Sequence, residues 1–153
     1  MIRKIEDNNV FEAIKLMNVS TEQIKYPYQR NEAVWIKYFL SLVERQTEGD
    51  PHVLVIGDYV DDKLRGFLSA STFVNYYNNE YIMDVKDCIV DHNFSNGLVV
   101  CRLFDSMIEH IKSHEGKSWR ADSIHDTKDA MRYGRFLEKR YNGQIHISVR
   151  GEV

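Results

Sequence analysis

The segment from Glu80 to His114 constrains the fold more than any other part of this chain. EYIMDVKDCIVD reads as a long strand, and HNFSNG reads as a loop of small and polar residues. LVVCRLFDSMIEHIKSH reads as a helix with Val99, Val100, Leu103, Phe104, Met107, Ile108 and Ile111 along its inner side. A strand that feeds a helix through such a loop presents backbone N–H groups at the helix start, where a phosphate or pyrophosphate binds. KSWRADSI follows as the next strand. A helix between two strands of one sheet demands a parallel, right-handed crossover.

Upstream, the pattern changes. MIRKIE alternates as a short first strand, and Asp7 or Asn8 is placed to cap a helix carrying Val10, Phe11, Ile14 and Met17. Residues 18–30 read as irregular around Pro27. A second helix spans roughly 31–46, with Trp35, Ile36, Phe39, Leu40 and Val43 on one face. HVLVIGDYV, LRGFLSASTFVNYY and EYIMDVKDCIV are three strands joined by turns at residues 61–63 and 78–79, which implies an antiparallel meander. Thr127 or Asp126 caps a last helix that ends near Asn142–Gly143, and QIHISV reads as a closing strand. The expected architecture is α+β: one domain over residues 1–153, with an antiparallel meander, then a parallel crossover, and helices on both faces of a mixed sheet.

Charge narrows the function classes. A formal net charge of −3 gives no general attraction to nucleic acid. No apolar run reaches membrane-spanning length, and MIRKIEDNN lacks the apolar stretch of a signal peptide, so a cytoplasmic protein is expected. Cys88 and Cys101 lie in apolar segments without metal-ligand spacing and read as reduced packing thiols. His110 and His114 have the i, i+4 spacing of a zinc pair but lack the glutamate of the zinc-protease motif. They read as surface residues of the last helical turn, and no metal is expected.

The element order β-α-α-β-β-β-α-β-α-β, with these lengths, resembles the GCN5-related N-acetyltransferase (GNAT) superfamily over nearly the whole chain. In that superfamily the loop between the fourth strand and third helix has the pattern Arg/Gln-x-x-Gly-x-Gly/Ala and holds the pyrophosphate of acetyl-CoA. The fourth strand splays from the fifth, and the pantetheine arm lies in the gap. Here the loop falls on Ser95, Asn96, Gly97, Leu98, Val99 and Val100. Ser95, Leu98 and Val100 replace the pattern's residues, and Gly97 stands one position early. Main-chain N–H groups do the binding, and any residue but proline supplies them.

The resemblance implies an acyltransferase moving an acetyl group from acetyl-CoA to a primary amine of a small molecule or protein. Cys88, Ile89 and Val90 would line the arm and polarise the thioester. The base would be Asp84, then Asp87, then Glu80. Strict alternation puts Asp84, Lys86, Cys88 and Val90 on one face and Val85, Asp87 and Ile89 on the other. The general acid would be Tyr133 or Tyr141, although the usual tyrosine position falls nearer Gly134 or Phe136. Tyr28, Trp35 and Tyr76 would wall the acceptor groove. Arg132, Arg135, Lys139 and Arg140 read as a solvated helix face. The expected assembly is a monomer or homodimer, with a protein partner possible. The rival reading is a GNAT-fold binding or structural protein without chemistry, such as a tailed phage carries.

Overall fold

A computed structural model describes residues 1–23, 31–94, 97–114, 116, 118–122 and 127–144. Residues Met1–Asp122 form one compact unit, and Ser123–Val153 belong to a second. In the first unit the strands are β1 (Ile2–Lys4), β2 (Val53–Val60), β3 (Lys63–Val74), β4 (Tyr81–Val90) and β5 (Ser118–Ala121). The helices are α1 (Val10–Gln23), α2 (Glu32–Thr47) and α3 (Leu98–Ser113). The second unit holds α4 (Thr127–Tyr141), on which Arg132, Arg135, Lys139 and Arg140 are exposed. The expected closing strand lies outside the described residues, apart from Gln144.

The sheet runs β1-β2-β3-β4-β5, antiparallel through β4 and parallel between β4 and β5. This is the mixed sheet that the sequence implies. Its left-handed turn residues are Asp61 and Asp62 between β2 and β3, and Asn79 between β3 and β4. Residues α1 would have lost to an irregular segment are helical as far as Gln23. Asn31 caps α2, its side chain accepting from the Val34 amide at 3.2 Å.

Each face of the sheet has its own core. On one, Val53, Val55 and Phe67 pack with Ile5, Val10, Ala13 and Met17 and with Phe39, Leu42 and Val43 of α2. Leu40, expected on that inner stripe, is 41% exposed, and Leu42 takes its place. Gln46 is buried there and replaces strand pairing where β1 ends. Its amide donates to the Ile5 and Val55 carbonyls at 3.0 and 3.1 Å and accepts from the Val55 N–H at 2.7 Å. On the opposite face, α3 lays Val99, Leu103, Phe104, Met107 and Ile111 over the sheet beside Leu54, Ile56, Leu68, Ala70 and Met83, all buried.

Contacts near both ends help hold α3 in place. A Cβ at Gly66 would come within 2.8 Å of both the Ile89 carbonyl oxygen and Val99 Cγ1, so the helix start lies against bare backbone. Gly66→Ala is therefore expected to destabilise by about 1–3 kcal/mol, read from a lowered denaturant midpoint at unchanged slope. At the other end, His110 Nε2 lies 3.0 Å from the Pro51 carbonyl. Burial is the main force lowering this imidazole's pKa. The Pro51 hydrogen bond opposes it, while the charges of His114 and Lys4 add to it. The folded state thus prefers the neutral ring, whereas the unfolded chain protonates near 6.5. Its contribution is complete above that value and is lost as pH falls from there towards the lower folded pKa. Melting temperature should drop between about pH 7.5 and pH 5.5, and His110→Gln should flatten that drop.

Candidate active site

The strand β4 departs from simple alternation. Ser69 of β3 faces Asp87, and Ala70 faces Val85, so Lys86 is an extra residue in a β-bulge. Cross-strand partners share a face, so Asp84 (opposite Ser71), Asp87 (opposite Ser69) and Ile89 (opposite Phe67) all point toward α2. Met83, Val85, Cys88 and Val90 take the α3 face. This corrects the alternation drawn from the sequence, which separated Asp84 from Asp87. One inserted residue reverses the phase of everything beyond it.

The bulge brings two carboxylates to one surface and gives them different partners. Asp84 is buried and clamped by cations. Arg120 Nε and Nη2 donate to its two oxygens at 2.9 and 3.0 Å, and the Lys86 ammonium also donates to it. Burial alone would raise this carboxyl, but the hydrogen bonds and charges of Arg120 and Lys86 outweigh it and hold its pKa below the ordinary value. The raised carboxyl expected of a general base at Asp84 is not what these partners produce. Arg120 sits on β5 directly beside Asp84 in the parallel register, and its guanidinium lies 4.9 Å from the centre of the Phe73 ring.

Asp87 is half-buried and oriented by hydroxyl and indole donors. Ser69 Oγ donates to its Oδ2 at 2.7 Å, and Trp35 Nε1 lies 3.2 and 3.3 Å from its two oxygens. The indole is itself fixed. It stacks on Phe39 at 5.0 Å, and Phe39 meets Phe67 edge-on at 5.4 Å. Tyr38 Oη lies 3.3 Å from Ser71 Oγ on the same surface. Two residues named from the sequence for different roles, Trp35 and Asp87, are thus in direct contact.

Pairing between β4 and β5 runs from Ile82–Ser118 to Val85–Ala121. β4 continues to Val90, and among the described residues no strand accompanies it on that side beyond Val85. After Val90, Asp91 organises the turn, its Oδ1 accepting from the Asn93 amide at 2.9 Å. Gly97 then precedes α3 in the left-handed conformation with φ 76°. A Cβ on Gly97 would meet nothing within 4 Å among the described residues. Leu98 is exposed, Val99 is buried beneath it, and Val100 is half-buried. A left-handed glycine ahead of a helix start suits a pyrophosphate in character. Ser95 and Asn96 lie outside the described residues.

The remaining expected residues are distributed elsewhere. Tyr76 stands on the β3–β4 turn, 94% exposed, at the end of β4 away from Val90. Glu80 closes that turn, its amide accepted by Asn78 Oδ1 at 3.2 Å. Tyr133 and Tyr141 lie on α4 in the second unit, and Tyr28 lies outside the described residues. Cys88 and Cys101 are thiols rather than a disulfide. Among the described residues no three metal-binding side chains come together, and no helix is long and apolar enough to cross a membrane. Sequence reasoning paired Asp84 with Lys86 or Lys63 and missed Arg120, which completes the Asp84 clamp, and Ser69, which orients Asp87. The available signal was a serine and an arginine inside strands.

No protein-family model matches the sequence, and no curated protein does. Solved structures do. An aminoglycoside acetyltransferase from an uncultured soil metagenomic sample superposes with a TM-score of 0.72 at 13% identity, over 100% of this chain and 95% of that one. Glucosamine-6-phosphate N-acetyltransferase from Arabidopsis thaliana superposes at 0.70 and 17% identity, over 99% and 97%. A protein described as a transcriptional regulator from Bacillus halodurans superposes at 0.74 and 11% identity, over 100% and 99%.

Proposed function

We propose that this chain, whose fold is that of the GCN5-related N-acetyltransferases, transfers an acetyl group from acetyl-CoA to a primary amine. One observation carries the reading. Beyond the last described β4–β5 pair, an oriented carboxylate, Asp87, faces the surface on which α2 presents Trp35 and Tyr38. The named activities of several structural neighbours support the reaction class.

In this reading the backbone of residues 97–100 holds the pyrophosphate. The edge of β4 at Cys88, Ile89 and Val90 lines the arm. Asp87 takes the proton of the incoming ammonium, so that a neutral amine attacks the thioester carbonyl. Asp84 serves differently: its charge is already spent on Arg120 and Lys86, and it fixes those cations at the mouth of the gap. Trp35 flanks the acceptor. The acceptor is an amine of a small molecule or protein, met in the cytoplasm.

The test is a thiol-release assay with acetyl-CoA and a panel of primary amines, with products identified by mass. Amine-dependent release and an acetylated product are expected. Release that never exceeds the amine-free rate across the panel would overturn the reading.

A further inference from the structure

We propose that Lys86 is an internal acetyl acceptor: the chain modifies its own lysine at the point where β4 and β5 part. The inference rests on the acetyltransferase reading above and adds to it a covalent modification site.

Three features of position converge on this one amine. Among the described residues, Lys86 is the first of β4 beyond the last β4–β5 pair, Val85–Ala121. It is also the extra residue of the bulge, so the strand turns it out of the regular alternation. Its side chain is 32% exposed, and its ammonium is drawn back onto Asp84, on the face that Asp87 shares. A thioester whose phosphates rest at the start of α3, and whose arm follows β4 back from Val90, covers four residues to reach Lys86. At ~3.3 Å per residue that is about 13 Å. The amine nearest to the arriving acetyl group is then the protein's own. Proximity of this kind raises the effective concentration far above that of a free amine.

The chemistry balances without any further reactant. The Lys86 ammonium gives one proton to the Asp87 carboxylate. The neutral nitrogen attacks the thioester carbonyl, a C–N bond forms and the C–S bond breaks. The departing thiolate takes the second proton from nitrogen, and Asp87 returns its proton to water. The products are acetyl-lysine and the free thiol. Acetylation removes one of the two cations from Asp84 and leaves Arg120 as its remaining clamp. It also sets a neutral side chain at the apex of the gap, where an external amine must approach.

The test follows the full chain incubated with acetyl-CoA in the absence of added amine, with acetylation read peptide by peptide by mass spectrometry. Lys37 and Lys63, both exposed, report the rate of uncatalysed acetylation. Lys86 is expected to gain one acetyl group at least about tenfold faster than either. Asp87→Asn should remove that advantage without changing Lys37 or Lys63, and Lys86→Arg should abolish the modified peptide while keeping the cation on Asp84. Equal rates at the three lysines, or an advantage that survives Asp87→Asn, overturn the proposal. If free amines are acetylated while Lys86 stays unmodified, self-acetylation alone falls. If neither occurs, the acetyltransferase reading falls with it.

Discussion

Asp87→Asn is expected to lower kcat/KM for amine acetylation by about 10²–10⁴-fold while leaving acetyl-CoA affinity nearly unchanged. The substitution preserves size and keeps one acceptor oxygen toward Ser69 and Trp35, which hold the carboxylate at 2.7–3.3 Å. What it removes is the capacity to take a proton. The loss should therefore fall on turnover, and it should shrink at high pH, where more of the free amine is already neutral. Asp84→Asn provides the contrast. Asp84 is buried between Arg120 and Lys86, so neutralising it leaves two cations without their shared anion. It should raise the amine KM and lower stability together. Steady-state kinetics with each variant, beside its melting temperature, separates the two carboxylates. Equal activity of Asp87→Asn and the parent chain would remove Asp87 from the mechanism.

The largest effect on stability is expected at Asp58. This side chain is fully buried in β2. It accepts from Arg102 of α3 at 2.6 Å, and Arg65 of β3 lies at 3.4 Å, with the Met1 amino group at 3.3 Å. One carboxylate thus ties two strands to the second turn of α3, close to the helix start that faces the proposed pyrophosphate. The arginine side chains are 18% and 41% exposed, so water screens part of what they lose. Removing one partner of a buried ion pair typically costs 3–5 kcal/mol, and this screening places Asp58→Asn near the low end, at about 3 kcal/mol. Chemical denaturation would read it directly. Because α3 would shift, acetyl-CoA affinity should fall too, unlike in Asp87→Asn. A variant within about 0.5 kcal/mol of the parent would mean that the arginines are satisfied by solvent.

The elements of the fold were legible because each has a clean period. Val99, Leu103, Phe104, Met107 and Ile111 mark α3, and the turn residues around Asp61–Asp62 and Asn79 separate the strands. The mixed sheet followed from one helix lying between two strands. The site was less legible, for three physical reasons. Period-two reading assumes an unbroken strand, and nothing in DVKDCIV announces that Lys86 is supernumerary. The clamp on Asp84 depends on a residue far along the chain, Arg120, which only the parallel register brings alongside. Asp58 in HVLVIGDYV was a charge inside an apolar strand, a signal of buried pairing that was present but passed over. At the loop, Gly97 takes a left-handed turn one position before the expected glycine. Trp35 was picked as an acceptor wall from its aromatic character. Its contact with Asp87 shows why that position also matters to the carboxylate.

The central claim is that β4 and the start of α3 form an acetyl-CoA site. Isothermal titration of the full chain with acetyl-CoA tests it most directly. The account predicts one site per chain with a dissociation constant between about 1 μM and 1 mM, the span of ordinary enzyme–substrate affinities. It also predicts binding weakened in Asp58→Asn and kept in Asp87→Asn. No heat of binding at millimolar acetyl-CoA, with the chain folded throughout, would contradict it and leave a GNAT-fold protein that does other work.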